Sequence, residues 1–506
     1  MAAPAAASRR VAVVGAGWAG LSAAVHAAER GHRVTLYEAA RQSGGRARSV
    51  PHTDARGTAY VLDNGQHILI GAYTATLDLM RRVGVEPLTV LHRQPLALQH
   101  PDGSGLALPD APAPWNALIG IARARGWSAG ERLALLARAA RWRLGGFRCA
   151  PTASVADLAR GLPPRVQAEF IEPLCVSALN TAAAQASGTV FLRVLRDALF
   201  APAHARGLRA SGAERELGVP EGASHSAPGK AQSTAVAGAT ARICNALGCA
   251  LGRPGGHDRL PLRPSDLLLP TVDLGRLLPE AALQRLAARG HTVHLGRRVT
   301  HLARSPGADS RWLLDGEAFD HVVLACSATE AARLALAAAA STSAPEAGAL
   351  HHWAAQARAL AHTAITTVYA HADAARAGRA AATLSAAMLA LRSGGPHGPA
   401  QFVFDRGALG GPAGLLAFVI SDSRGERPAL EAAVRAQARA QLGLDVEVLT
   451  SYTERRATFA CTPGLQRPPQ HMARQLLAAG DFVEGPYPAT LEGAVRSGAQ
   501  AAQALG

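Results

Sequence analysis

Residues 11–15 read Val-Ala-Val-Val-Gly, and Gly15-Ala16-Gly17-Trp18-Ala19-Gly20 follows at once. A short, apolar, β-branched run suits a buried parallel strand. A helical pattern then runs to about Arg30, with Gly31 placed to end it. Residues 33–38, Arg-Val-Thr-Leu-Tyr-Glu, form a second strand pattern. The whole is a βαβ unit of about 30 residues. Each glycine has its own physical reason. Gly15 permits the tight turn, Gly17 lets the backbone approach a pyrophosphate, and Gly20 lets the helix press on the strand. Glu38 closes the second strand and can accept ribose hydroxyls, while it would repel a 2′-phosphate. A glycine turn that holds no ligand is the plainer alternative, and the full strand–turn–helix–strand–Glu context weighs against it.

A second glycine-rich element, Ser43-Gly44-Gly45-Arg46-Ala47-Arg48, follows Glu38. Gly44 and Gly45 expose backbone N–H groups, and Arg46 can neutralise phosphate. Near the other end, Ala479-Gly480-Asp481 follows an apolar strand pattern. The segment from Ala489 through Thr490 and Leu491 then opens a helix.

The chain has 506 residues and a formal net charge of +15. That length is enough for a large core without disulfide or metal staples. The charge invites a nucleic-acid reading, but only one of the 52 Lys+Arg residues is a lysine, Lys230. The arginines are spread along the chain, and aromatics make up 4%. A nucleic-acid binder clusters its charge and interleaves stacking aromatics. No nucleic-acid partner is expected. The six cysteines form no CxxC and no zinc spacing, so no metal is expected and a reducing compartment is the simplest reading. No apolar run reaches the roughly 20 residues of a membrane span, and the first residues lack a signal-peptide pattern.

Residues 115–148 read as two arginine-studded amphipathic helices broken near Gly126. Leu133, Leu136, Ala137, Ala140 and Leu144 share one face. That face is either a core-facing stripe, the commoner case, or an interfacial one with Trp115, Trp127 and Trp142 as anchors. Residues 201–264 are rich in Gly, Pro, Ser and Ala and read as a flexible insertion. Asp266–Gly290 reads as a helix, and 291–305 and 311–326 as strands. Further strands are expected around 368–373, 401–405 and 415–421.

The succession GxGxxG, Glu38 and Gly-Gly-Arg-Ala resembles the FAD-binding start of the amine-oxidase and phytoene-desaturase flavoprotein superfamily. Leu62-Asp63-Asn64-Gly65-Gln66-His67-Ile68-Leu69 and Ile171-Glu172-Pro173-Leu174-Cys175 narrow the resemblance. So do the segments around Asp266–Gly275 and Arg456–Pro468. All are similar to the hydroxysqualene dehydroxylase branch, over nearly the whole chain except 201–264. The fold this implies is α/β: a Rossmann-like FAD-binding domain of the GR2 type with an interwoven α+β substrate domain. The FAD domain would be drawn from 1–75, 265–330 and 450–506, and the substrate domain from 76–200 and 331–449. The resemblance places Val299 at the adenine and Asp481, after Gly480, at the ribityl or pyrophosphate region. The N–H groups at Thr490 and Leu491 would face the flavin N1–C2=O edge. FAD would be non-covalent, since no cysteine stands in an attachment motif.

What the resemblance implies is reductive dehydroxylation of hydroxysqualene to squalene. Hydride passes from reduced flavin to an allylic carbon as the hydroxyl leaves as water. The substrate is then a long apolar isoprenoid, the electron donor is a separate and unidentified partner, and the location is cytoplasmic, peripheral on the inner face of the cell membrane. His67, Asp63 and Glu172 are the candidate proton donors. His67 serves equally as a cofactor-orienting histidine, and Glu172 as a helix-surface carboxylate. Three other readings stay open: a carotenoid- or phytoene-type desaturase, a non-catalytic prenyl-binding escort, and a basic membrane adaptor. Amine oxidation is disfavoured, because relatives that perform it place a lysine near the flavin and Lys230 lies in the insertion.

Overall fold

A computed structural model describes residues 8–200, 261–306, 311–372 and 384–505. Most of the expected insertion, with Lys230, Cys244 and Cys249, lies outside the described residues. Of its last four residues, Arg263 and Pro264 are buried.

The glycine-rich unit forms as the sequence predicts. Strand β1 (Arg10–Val14), helix α1 (Trp18–Glu29) and strand β2 (Arg33–Glu38) follow one another. Gly31, at φ +88°, ends the helix. Strands β1 and β2 belong to a six-stranded sheet. Its order is Thr292–Leu295, β2, β1, His321–Leu324, Leu476–Ala478 and His471–Ala473. All neighbours are parallel except the last pair. A sheet covered on both faces buries every side chain of its central strands. Accordingly Val11, Ala12 and Val13 of β1 and Val322, Val323 and Leu324 beside it are fully buried. Helix α1 packs against the C-terminal helix Leu491–Gln503. Gly498 makes this possible, because a Cβ there would meet the Ala19 carbonyl oxygen at 2.1 Å.

A second sheet is antiparallel and five-stranded. Its order is Met388–Ala390, Phe402–Asp405, Leu415–Ser421, His362–Ala372 and Val446–Phe459. Three of its strands fall where the alternating apolar runs predict them.

The segment 266–290 differs from expectation. It is a strand, Leu267–Pro270, and two helices, Leu274–Leu277 and Pro279–Ala288, rather than one helix. Prolines 270 and 279 interrupt the backbone ladder. The run Leu267-Leu268-Leu269 is instead sandwiched between two short strands.

The helices of 115–148 are Trp115–Ala122 and Ala129–Leu144, broken as expected near Gly126. Their orientation corrects the core-facing reading for Leu133, Ala137, Ala140 and Leu144, while Leu136 packs on the core and Trp127, an anchor in the interfacial reading, is buried. Leu135 and Ala139 are the buried residues of the second helix, whereas Leu133 is 67% and Leu144 90% exposed. Among the described residues no helix is long and apolar enough to cross a membrane.

Candidate active site

The β1–α1 turn is built by contact. A Cβ on Gly20 would lie 1.8 Å from the Gly15 carbonyl oxygen, and one on Gly15 would lie 2.6 Å from that of Ala325. Gly17 is different: a Cβ there would meet only Gly45 Cα, at 3.8 Å. The second glycine pair is brought alongside it. Gly44 N–H donates to the Ala16 carbonyl at 2.8 Å, and Gly17 and Gly44 form a parallel bridge.

These residues line a cavity of about 530 Å³. Gly15, Gly17, Glu38, Gly44, Gly45, Arg46, Val299, Gly480, Asp481, Thr490 and Leu491 all border it. Gly20 does not, in keeping with a purely packing role. No side chain caps the N-terminus of α1, and no acidic residue stands in its first turn. Its first N–H groups are therefore left to an anion. At the other end, Thr490 caps the C-terminal helix through Gly493 N–H at 2.9 Å. The first-turn carboxylate there, Glu492, is fully buried and turned away, accepting from Ala75 N, Thr76 N and Arg496. That leaves a second electropositive helix end open to the cavity.

Glu38 supports the turn from the side. Its carboxylate accepts from Ala16 N at 2.7 Å and Ala40 N at 2.8 Å. Each oxygen keeps lone pairs for a ribose. Arg46 pairs with Asp481, and its other nitrogen donates to the Ala457 carbonyl at 2.8 Å. Asp481 is buried and the Arg46 side chain is 39% exposed. Val299 is buried and its carbonyl accepts from Arg333. Open space at Gly17, the uncapped end of α1, the Glu38 carboxylate beside that turn and the N-terminus of the C-terminal helix fit a flavin–adenine dinucleotide. Among the described cysteines, Cys326 borders this cavity, and burial pushes its thiol up to about 12, which keeps it unreactive. No cluster of metal ligands occurs among the described residues.

The three candidate proton donors part company. His67 borders the cavity. Its Nδ1 lies 2.7 Å from the Gly65 carbonyl, which can only accept, so Nδ1 carries the proton. Burial, and then the Arg46 charge, hold the ring below its usual pKa. In that state His67 offers the cleft a lone pair, whereas the sequence asked it for a proton. Asp63 does not border the cavity. Its carboxylate caps the Leu274–Leu277 helix through Leu274 N at 2.8 Å, and burial pushes it up to about 6. Glu172 does not border it either. It accepts from Ala183 N at 3.3 Å and ties its helix to the following loop.

A second cavity, of about 140 Å³, adjoins the first. Its walls are mainly apolar: Ile70, Leu96, Leu98, Leu174, Leu179, Val190, Val194, Leu195, Leu199, Leu267 and Met388. Ile68, Tyr73, Ser177, Ala178, Phe402 and Thr490 border both cavities and mark the junction. Three of these carry hydroxyls. Ser177 donates to the Leu174 carbonyl at 3.1 Å and Thr490 to that of Tyr487 at 2.9 Å. The Tyr73 hydroxyl lies beside that of Thr490, and burial, then the Glu492 charge, raise its pKa. Farther in, Tyr487 donates to Asp197 at 3.1 Å. Gly71-Ala72-Tyr73 belongs to the segment that carries the resemblance, but neither Tyr73 nor Asp197 stands among the site residues expected from the sequence.

Residues 18–506 match the model of the flavin-containing amine oxidoreductases. The chain belongs to that family. It is a flavoprotein, an FAD-dependent oxidoreductase. The hydroxysqualene dehydroxylase of Rhodopseudomonas palustris is 28% identical over 521 residues, covering 98% of each chain. The Zymomonas mobilis protein of the same name is 29% identical over 194 residues, 37% of this flavoprotein and 44% of its own length. The 15-cis-phytoene desaturase of Synechococcus elongatus is 34% identical over 116 residues, 22% of this chain and 24% of its own. Among solved structures, an oxidoreductase from Methanosarcina mazei superposes with a TM-score of 0.63 at 13% identity, covering 98% of this chain and all of the other. A reduced UDP-galactopyranose mutase gives 0.61 at 15%, covering 98% and 94%. At such identities these two show the fold alone.

Proposed function

We propose that this flavoprotein removes the hydroxyl group of a long isoprenoid allylic alcohol of the hydroxysqualene type, reductively, to give the hydrocarbon. The observation that carries the proposal is the apolar cavity opening onto the FAD cleft through a ring of three hydroxyls. It is supported by similarity to a dehydroxylase over the full length of both chains.

When bound and reduced, FAD supplies the hydride. The residues of the chain do the rest. The bare turn at Gly17 and Gly45 and the uncapped N-terminus of α1 would hold the diphosphate, Gly15 and Gly44 shape that turn with their own N–H groups bonded to the Tyr37 and Ala16 carbonyls, and Glu38 would hold the ribose. Leu174, Leu195 and Leu267 strip water from the hydrocarbon, which protects an electron-poor allylic carbon from hydrolysis. Tyr73 stands at the junction as the hydrogen-bond donor to the departing oxygen. A phenol carries its proton at neutral pH, and Ser177 and Thr490 have committed theirs to backbone carbonyls. The Tyr487–Asp197 pair lies farther along the cavity and can relay a proton toward it.

The test is to supply anaerobic, reduced protein with hydroxysqualene and extract the product. Squalene supports the proposal. No squalene, with desaturation of a polyprenoid by the oxidised protein instead, replaces it by the desaturase reading.

A further inference from the structure

The exposed face of the Ala129–Leu144 helix is unusual for a surface. At 100° per residue, Leu133, Ala137, Ala140 and Leu144 fall within a sector of about 60°. All four are exposed. Arg141 and Arg143 stand on either side of this stripe, about 70° and about 90° from its centre. No acidic residue occurs between Arg132 and Cys149. Glu131 is committed to the capping box with Ser128. Arg141, Arg143 and Arg148 are exposed and make no ion pair among the described residues. An apolar stripe edged by unpaired arginines is the pattern of a helix lying in a bilayer interface, where the stripe enters the acyl boundary and the guanidinium groups meet phosphate.

The same helix is linked to the wall of the apolar cavity through a pair of rings. It ends beside Phe147, whose ring packs on Phe200 at 5.1 Å. Phe200 closes the π-helical turn Arg196–Phe200, and Asp197, Ala198 and Leu199 of that turn line the cavity. The neighbouring helix starts at Trp115, which is 61% exposed. A water-insoluble substrate therefore has an apolar, cationic surface next to the cavity that would receive it.

We propose that this face docks on an anionic lipid bilayer, with Leu133 and Leu144 inserted and Arg141, Arg143 and Arg148 against headgroup phosphates. A second copy fits less well. Two-fold pairing of the stripe would set each helix's flanking arginines close to those of its copy. Docking rests on the surface alone and does not depend on which isoprenoid is reduced.

The experiment is co-sedimentation of the FAD-loaded full chain with vesicles of phosphatidylcholine, alone or with about one third phosphatidylglycerol. Leu133→Glu/Leu144→Glu and Arg141→Glu/Arg143→Glu are compared with wild type. All four positions are exposed, so FAD content reports that folding is intact. Wild type should bind the anionic vesicles, and each pair of substitutions should weaken binding at least tenfold. Raised salt should weaken it as well. Three results would overturn docking: no binding by wild type, equal binding to neutral vesicles, or variants that bind like wild type. So would a wild-type dimer that Leu133→Glu/Leu144→Glu splits into monomers, which would assign the stripe to a second copy.

Discussion

Arg46 and Asp481, 435 positions apart, form an ion pair at the edge of the FAD cleft. One residue comes from the second glycine-rich element and the other from the end of a strand near the C-terminus. The pair fastens the two halves of the site together. Asp481 is buried and Arg46 half-exposed, so removing the arginine strands a carboxylate that water cannot reach well.

Arg46→Gln is expected to weaken FAD at least tenfold and lower the melting temperature of the apoprotein. Arg46→Gln/Asp481→Asn should recover the melting temperature without recovering FAD affinity. Calorimetric titration and thermal melting of both variants separate the structural pair from the cofactor contact.

Gly17 and Gly20 make opposite predictions though they share one motif. Gly20→Ala drives a methyl to 1.8 Å from a backbone oxygen, so the apoprotein should lose about 2 kcal/mol or more. Gly17→Ala meets nothing closer than 3.8 Å and should fold normally, yet its methyl fills the space of the diphosphate. FAD absorbance after gel filtration, beside denaturant melts, distinguishes the two.

Asp63 gives a stability signature in pH. Its folded pKa is raised by burial to about 6, against 3.8 for the free side chain. The folded state therefore holds the proton more tightly than the unfolded chain. This contribution is fully present below about pH 4 and is lost as pH rises through about 6. Two units correspond to about 3 kcal/mol. Asp63→Asn keeps an oxygen for Leu274 N–H and should be more stable than wild type above pH 6, with the difference vanishing near pH 4. Denaturant unfolding across that range tests it.

Tyr73→Phe should reduce kcat about 100-fold with little change in KM and unchanged FAD content, as loss of a proton donor demands. His67→Ala should retain FAD as well. If its turnover is also unchanged, His67 has no part in the chemistry.

The glycine turn and its place beside the first cavity were legible because its residues are tied to backbone geometry. A pyrophosphate needs a bare turn, and only glycines at fixed spacing leave one, so Gly15, Gly17 and Gly20 are visible in one dimension. The residues we propose for proton handling were not. Tyr73, Asp197 and Tyr487 come from three distant stretches and meet only through packing. Asp63 and Glu172 attracted notice as carboxylates in distinctive segments, but each is spent on a backbone N–H more than ten positions away. The stripe on the Ala129–Leu144 helix shows a third limit. Periodicity reveals that a face exists, not which side the rest of the protein occupies. Here the narrower strip of Leu135 and Ala139 faces inward.

The sheet that carries the FAD site has a consequence for biosynthesis. Strand β1 pairs with His321–Leu324, and that strand with Leu476–Ala478. On a ribosome the first glycine turn emerges on the order of tens of seconds before the strand that leads to Asp481. Until then His321–Leu324 has an unpaired edge and the sheet an apolar face, both prone to association with other chains. Cofactor capture must therefore be a late event, and the nascent chain has a long interval in which a chaperone can shield that edge.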